Sequence, residues 1–105
     1  MKGTAVRVLI VDDEPGARRR VERLLRQAAD VEIVGQVGNG RDAVAAIRAR
    51  KPDLVFLDVQ MPGMTGIEVV RTVGPGVMPA TIFVTAYDQY AVTAFELAAL
   101  DYLLK

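Results

Sequence analysis

With 105 residues, 51% of them hydrophobic, and a formal net charge of zero, the chain is sized for one domain with a real core and lacks the basic excess that nucleic-acid binding needs. It contains neither cysteine nor histidine, which excludes disulfides, thiolate chemistry, the usual zinc ligands and any Ser-His-Asp triad. No apolar run approaches the ~20 residues of a membrane span and no signal-peptide pattern opens the chain, so the expected compartment is the cytosol, with no direct membrane or nucleic-acid contact.

The first apolar run, Val6-Arg7-Val8-Leu9-Ile10-Val11, is short and β-branched, as suits a strand buried on both faces. Asp12-Asp13-Glu14-Pro15 stops it and opens a helix, with Pro in the first turn. Ala17, Val21, Leu24, Leu25 and Ala28 recur at helical spacing, and five arginines (18, 19, 20, 23 and 26) fill the rest of the wheel and read as a solvated face. Residues 31–37 form a second strand, Gly38-Asn39-Gly40 a turn, and residues 41–51 a second helix with Val44 and Ile47 inward, ended by Pro52. Leu54-Val55-Phe56-Leu57 is a third strand running into Asp58. The loop from Gln60 to Gly66 follows, with Met61 and Met64 as packing residues, then a short helix over 67–73 closed by Gly74-Pro75-Gly76. A fourth strand over 81–84 ends at Thr85, a helix over 90–99 carries Ala91, Ala94, Phe95 and Ala98 on one face, and Tyr102-Leu103-Leu104 is a fifth strand ending at Lys105.

Strict β-α alternation implies a doubly wound, five-stranded parallel sheet with helices on both faces. In such sheets, ligands bind beyond the carboxyl ends of the strands. Asp12 and Asp13, Asp58, Thr85 and Lys105 all follow strands one, three, four and five at that end. Singly each has a plain explanation, such as a helix cap, a turn or a solvated charge. Together they make a crevice in which three carboxylates repel unless a proton or a cation joins them. A hard divalent cation prefers such an oxygen cluster, and with a Lys, a hydroxyl and loop amides the site suits a phosphoryl group.

The segments Val11-Asp12-Asp13-Glu14, Asp58-Val59-Gln60-Met61-Pro62-Gly63-Met64-Thr65-Gly66, Val84-Thr85-Ala86 and Asp101-Tyr102-Leu103-Leu104-Lys105 resemble the response-regulator receiver domain of two-component signalling, in order and across the whole chain. The resemblance implies a flavodoxin-like sheet of order 2-1-3-4-5, with residues 1–105 as one receiver domain. It implies that Asp58 is the phosphoacceptor. Asp13 and Asp58 would bind Mg²⁺ (with Mn²⁺ able to substitute), Asp12 through water, and the backbone carbonyl of Gln60 would supply a further ligand. Lys105 would pair with the phosphoryl oxygens, while Thr85 and Tyr102 would form the switch. The implied partners are a sensor histidine kinase, which the first helix helps to dock, an output domain outside this chain, and a second copy in a homodimer. The stretch from Thr85 to Lys105 is similar to the subfamily with LytTR-type DNA-binding output. Self-phosphorylation and slow autodephosphorylation are implied, without stand-alone enzyme activity.

Two other classes compete. A haloacid-dehalogenase-like phosphatase also uses an Asp nucleophile but wants a second acid two residues later, where this chain has Gln60. A receiver that no longer takes phosphate would be an interaction module, against which the full set of Asp12, Asp13, Asp58, Thr85 and Lys105 counts. One departure stands out: family members usually continue past the lysine with Pro and a final helix, so the chain reads as truncated after the fifth strand. Without that helix an apolar strip beside the first helix would lie open and favour self-association.

Overall fold

The computed structural model describes residues 5–85 and 101–104, with side chains for residues 5–84. The expected helix over 90–99 and Lys105 lie outside the described residues. The elements run β1 (Val6–Val11), α1 (Pro15–Leu25), β2 (Val31–Val37), α2 (Gly40–Arg50), β3 (Leu54–Asp58), α3 (Gly66–Val73), β4 (Ala80–Thr85) and β5 (Asp101–Leu104). The strands form one parallel sheet, as the β-α alternation predicts, in the order β2-β1-β3-β4-β5 that the family resemblance implies.

The register sorts the strand residues that alternation alone left unassigned. Val11, Leu57 and Phe83 lie side by side across three strands, as do Leu9 and Val55, and all five join the core formed with α2 and α3. Ile10, Phe56 and Ile82 form the matching row on the opposite face, by the alternation of side chains along a strand. Val8 and Ile10 are buried there, while Phe56, Ile82 and Val84 are half-buried.

The helix ends show which local signals the chain obeys. Asn39 caps α2, its side chain accepting the Asp42 amide at 2.8 Å, and Lys51 closes that helix in the left-handed region at φ 47° just before Pro52. Thr65 and Glu68 form a reciprocal capping box at the start of α3. The α1 stripe departs from expectation. The helix ends at Leu25, so Ala28 lies beyond it and is exposed, and Leu24 is 67% exposed. Two shorter turn bonds, Gln27 to Leu24 and Ala28 to Leu25, close the segment with no Gly or Pro to announce the stop.

A bulge interrupts the β1–β2 ladder. Val8 pairs with Ile33 but Leu9 pairs with Gly35, which leaves Val34 as the extra residue. The Arg50 guanidinium donates to the Val34 carbonyl, so the freed acceptor is satisfied from α2. Among the described residues no helix is long and apolar enough to cross a membrane.

Candidate functional site

The order of a doubly wound sheet reverses between β1 and β3, and this switch point is where such folds open a crevice. Asp12 and Asp13 leave β1 there and Asp58 ends β3 beside them. One carboxylate oxygen from each of the three lies within 4.8 Å of the others. Asp12 and Asp58 are 3% and 2% exposed, while Asp13 is the solvent-facing member. At that spacing each pair of full charges repels by roughly 3–4 kcal/mol at an effective dielectric near 20. The donor set is all oxygen, which fits a hard divalent cation rather than a soft one.

The two loops that carry these groups are built differently. In the β1–α1 loop the amide of Asp12 donates to the Val37 carbonyl at 3.1 Å. Asp12 Oδ1 accepts the Glu14 amide at 2.9 Å, an Asx turn that leads into the helix. In the β3–α3 loop the amide of Gly66 donates to the Val59 carbonyl at 2.9 Å. A side chain at Gly66 would run into the Asp58 carbonyl, so the loop closes only because that position has no Cβ. Val59 and Met61 are buried in the core, Met64 packs against it, and Gly63 takes a positive φ of 84°.

Asp12, Asp13 and Asp58 are thus brought together as the sequence predicts. Gln60 is adjacent and exposed, with its amide donating to Asp58 Oδ1 at 3.2 Å. Thr85 ends β4 opposite Leu104, and Tyr102 lies opposite Phe83 in the β4–β5 register. The side chains of Thr85 and Tyr102 lie outside the described residues, as does all of Lys105. Sequence reasoning missed the role of Arg18. It was read as part of a solvated face, yet it is half-buried and its Nη1 donates to the Asp12 carbonyl at 2.6 Å. Nothing in the sequence distinguishes it from the four arginines around it.

Comparison with known proteins agrees with this geometry. A family model for the response regulator receiver domain matches residues 8–105. An uncharacterized response regulatory protein of Vibrio vulnificus is 50% identical over 97 residues, covering 92% of this chain and 40% of that protein. The transcriptional regulatory protein BtsR of Salmonella typhi is 48% identical over 100 residues, covering 95% and 42% respectively. Among solved structures, the signal receiver domain of NarL from Mycobacterium tuberculosis superposes with a TM-score of 0.87 at 34% identity, covering 97% of this chain and 85% of that one. The chain belongs to the response regulator receiver domain family, and the receiver reading stands over the Asp-nucleophile phosphatase. It spans about two fifths of the length of the curated relatives it matches.

Proposed function

We propose that residues 1–105 are the phospho-accepting portion of a longer response regulator, with Asp58 as the residue that takes the phosphoryl group. The observation that carries this reading is the convergence of Asp12, Asp13 and Asp58 within 4.8 Å at the switch point of the sheet. Asp13 and Asp58 would hold Mg²⁺, with Mn²⁺ able to substitute, Asp12 would help through water, and the Gln60 carbonyl would supply a further ligand. When bound, the cation neutralises the carboxylates and the phosphoryl oxygens, the condition for a carboxylate to approach a polyanionic donor.

A carboxylate oxygen of Asp58 attacks the phosphorus of a phosphohistidine or a small acyl phosphate. The new O–P bond forms as the P–N or P–O bond to the leaving group breaks, and the leaving group departs with the bonding electrons. Lys105 pairs with the phosphoryl oxygens. Thr85 hydrogen-bonds the same group, and the ring of Tyr102 takes up the space that Thr85 vacates, so that two packings exchange. Attack of water on the acyl phosphate later returns Asp58 to its free form. The partners are a histidine kinase, an output domain of LytTR type and a second copy of the chain. The names of the transcriptional relatives support an output at transcription.

Intact mass after incubation with acetyl phosphate tests the assignment. The expected result is one phosphoryl adduct that requires a divalent cation and is absent from Asp58→Asn. Full-yield phosphorylation of that variant would overturn the site. Turnover without an adduct would favour a hydrolase, and no reaction at all would favour an interaction module.

A further inference from the structure

Four of the five arginines of the α1 segment, Arg19, Arg20, Arg23 and Arg26, are exposed, as a solvated face requires. Arg18 instead turns back under the site and donates to the Asp12 carbonyl. The other wall of its seat is Gly38, the residue after β2. A Cβ there would lie 3.1 Å from Arg18 Nη1 and 3.8 Å from the Asp12 carbonyl oxygen. The side chain therefore lies between two loops, where a side chain at residue 38 would crowd its guanidinium.

The Asp12 carbonyl belongs to the same rigid peptide plane as the Asp13 amide. With the Asp12 amide tied to Val37 and Oδ1 tied to Glu14, the third bond, from Arg18, leaves this peptide little freedom to rotate. A bond from a guanidinium to a carbonyl is charge-assisted, and such bonds are about twice as strong as neutral ones. No described carboxylate is in ion-pair contact with Arg18, so it reaches the acidic cluster through the backbone rather than by neutralising a side chain.

We propose that Arg18 is a positioning residue: held over Gly38, it clamps the Asp12–Asp13 peptide and so sets where the Asp13 carboxylate stands relative to Asp58. This inference rests on reading the three aspartates as a divalent-cation site. A second role for Arg18, as a mere positive charge near the cluster, has the opposite consequence. Removing a cation from the neighbourhood would tighten Mg²⁺ binding, whereas removing a clamp weakens it.

The test uses the chain with Arg18→Met and Arg18→Lys. In the metal-free protein, amide hydrogen exchange at Glu14, whose N–H donates to Asp12 Oδ1, is expected to rise about tenfold in Arg18→Met while exchange in β1 is unchanged. Titration with Mg²⁺ alone should give a Kd roughly tenfold weaker, with Arg18→Lys between the two. Gly38→Ala, which crowds the guanidinium without touching it chemically, should move both readouts in the same direction by less, and it keeps the idea testable if Arg18→Met fails to fold. Unchanged exchange at Glu14, or tighter Mg²⁺ binding, would overturn the proposal. A wild-type chain that binds no Mg²⁺ would instead sink the cation-site reading, while the metal-free exchange would still decide the clamp.

Discussion

The two loops that deliver the carboxylates reach the same crevice by opposite means. The β3–α3 loop is held by what is absent: Gly66 has no Cβ, so its backbone can lie against the Asp58 carbonyl, and a capping box then locks the entry to α3. The β1–α1 loop is held by what reaches in, an Asx turn at Asp12 and a guanidinium from the first turn of α1. A loop fixed by close backbone approach tolerates no substitution at one position. A loop fixed by side-chain bonds is adjustable at several, each with a moderate effect.

The sharpest way to break the comparison is at Gly66. In Gly66→Ala the new methyl group meets backbone rather than a flexible side chain, so β3 or the loop must move. The expected loss is about 3 kcal/mol, in the range of overpacked buried sites, read from urea melts. A loss below about 1 kcal/mol would mean that the loop accommodates a side chain easily, as ordinary surface positions do.

This asymmetry also explains what was legible in the sequence. The parallel sheet and the convergence of Asp12, Asp13 and Asp58 follow from β-α alternation and from acids placed at strand ends, whereas the strand order, and with it the switch point, comes from the family resemblance. The need for glycine at residue 66 is visible as a fixed offset from Asp58. The clamp by Arg18 is not visible, because helical periodicity places an arginine on a face but does not say whether its side chain doubles back. The end of α1 was missed for a related reason: the apolar stripe continues to Ala28, and no breaker marks the stop after Leu25. The β1–β2 bulge is accompanied by a long-range bond from Arg50 to the Val34 carbonyl, and local pattern carries no trace of either.

The cluster itself should show a smaller effect of opposite sign. In Asp13→Asn one of three mutually repelling charges is removed, so the metal-free melting temperature should rise, by an amount equivalent to about 1 kcal/mol since Asp13 faces solvent. The same variant should lose most of the Mg²⁺-dependent rise in melting temperature that the wild type shows. Thermal melts with and without Mg²⁺ read both. A metal-free decrease would indicate that Asp13 is held by favourable bonds that outweigh the repulsion.

Thr65→Ala sharpens the same contrast from the other loop. It removes the side-chain half of the capping box, in which Thr65 Oγ1 accepts the Glu68 amide at 3.2 Å. The expected cost is about 1 kcal/mol in stability, with Mg²⁺ affinity changed less than in Arg18→Met, because the Gly66 contact still holds Asp58. A larger shift in affinity than in stability would show that the cap, rather than the glycine, positions the site.

The smallest effect is expected at Arg26, the arginine of α1 whose charge is most plainly paired. Its guanidinium binds Glu22 one turn earlier, and this bond, with a lesser one from Gln36, holds the Glu22 carboxyl below its ordinary pKa. A carboxyl with a lowered folded-state pKa contributes stability that is present above its unfolded pKa and lost as pH falls through the folded one. Both side chains lie at the surface, however, where water and salt screen the attraction and holding two long chains in one geometry costs entropy. Glu22→Gln should therefore leave the melting temperature at pH 7 unchanged within error and flatten its pH dependence only slightly as pH falls through the usual carboxylate range and just below it. Exchange at Glu14 should not respond at all. Arg26 and Arg18 are eight residues apart on the same segment, so a null result for Glu22→Gln beside a response to Arg18→Met would separate a surface ion pair from a bond that shapes the site. A Glu22→Gln variant that disturbed the Glu14 amide would show instead that α1 acts as one rigid lever on the loop, and the special place given to Arg18 would go.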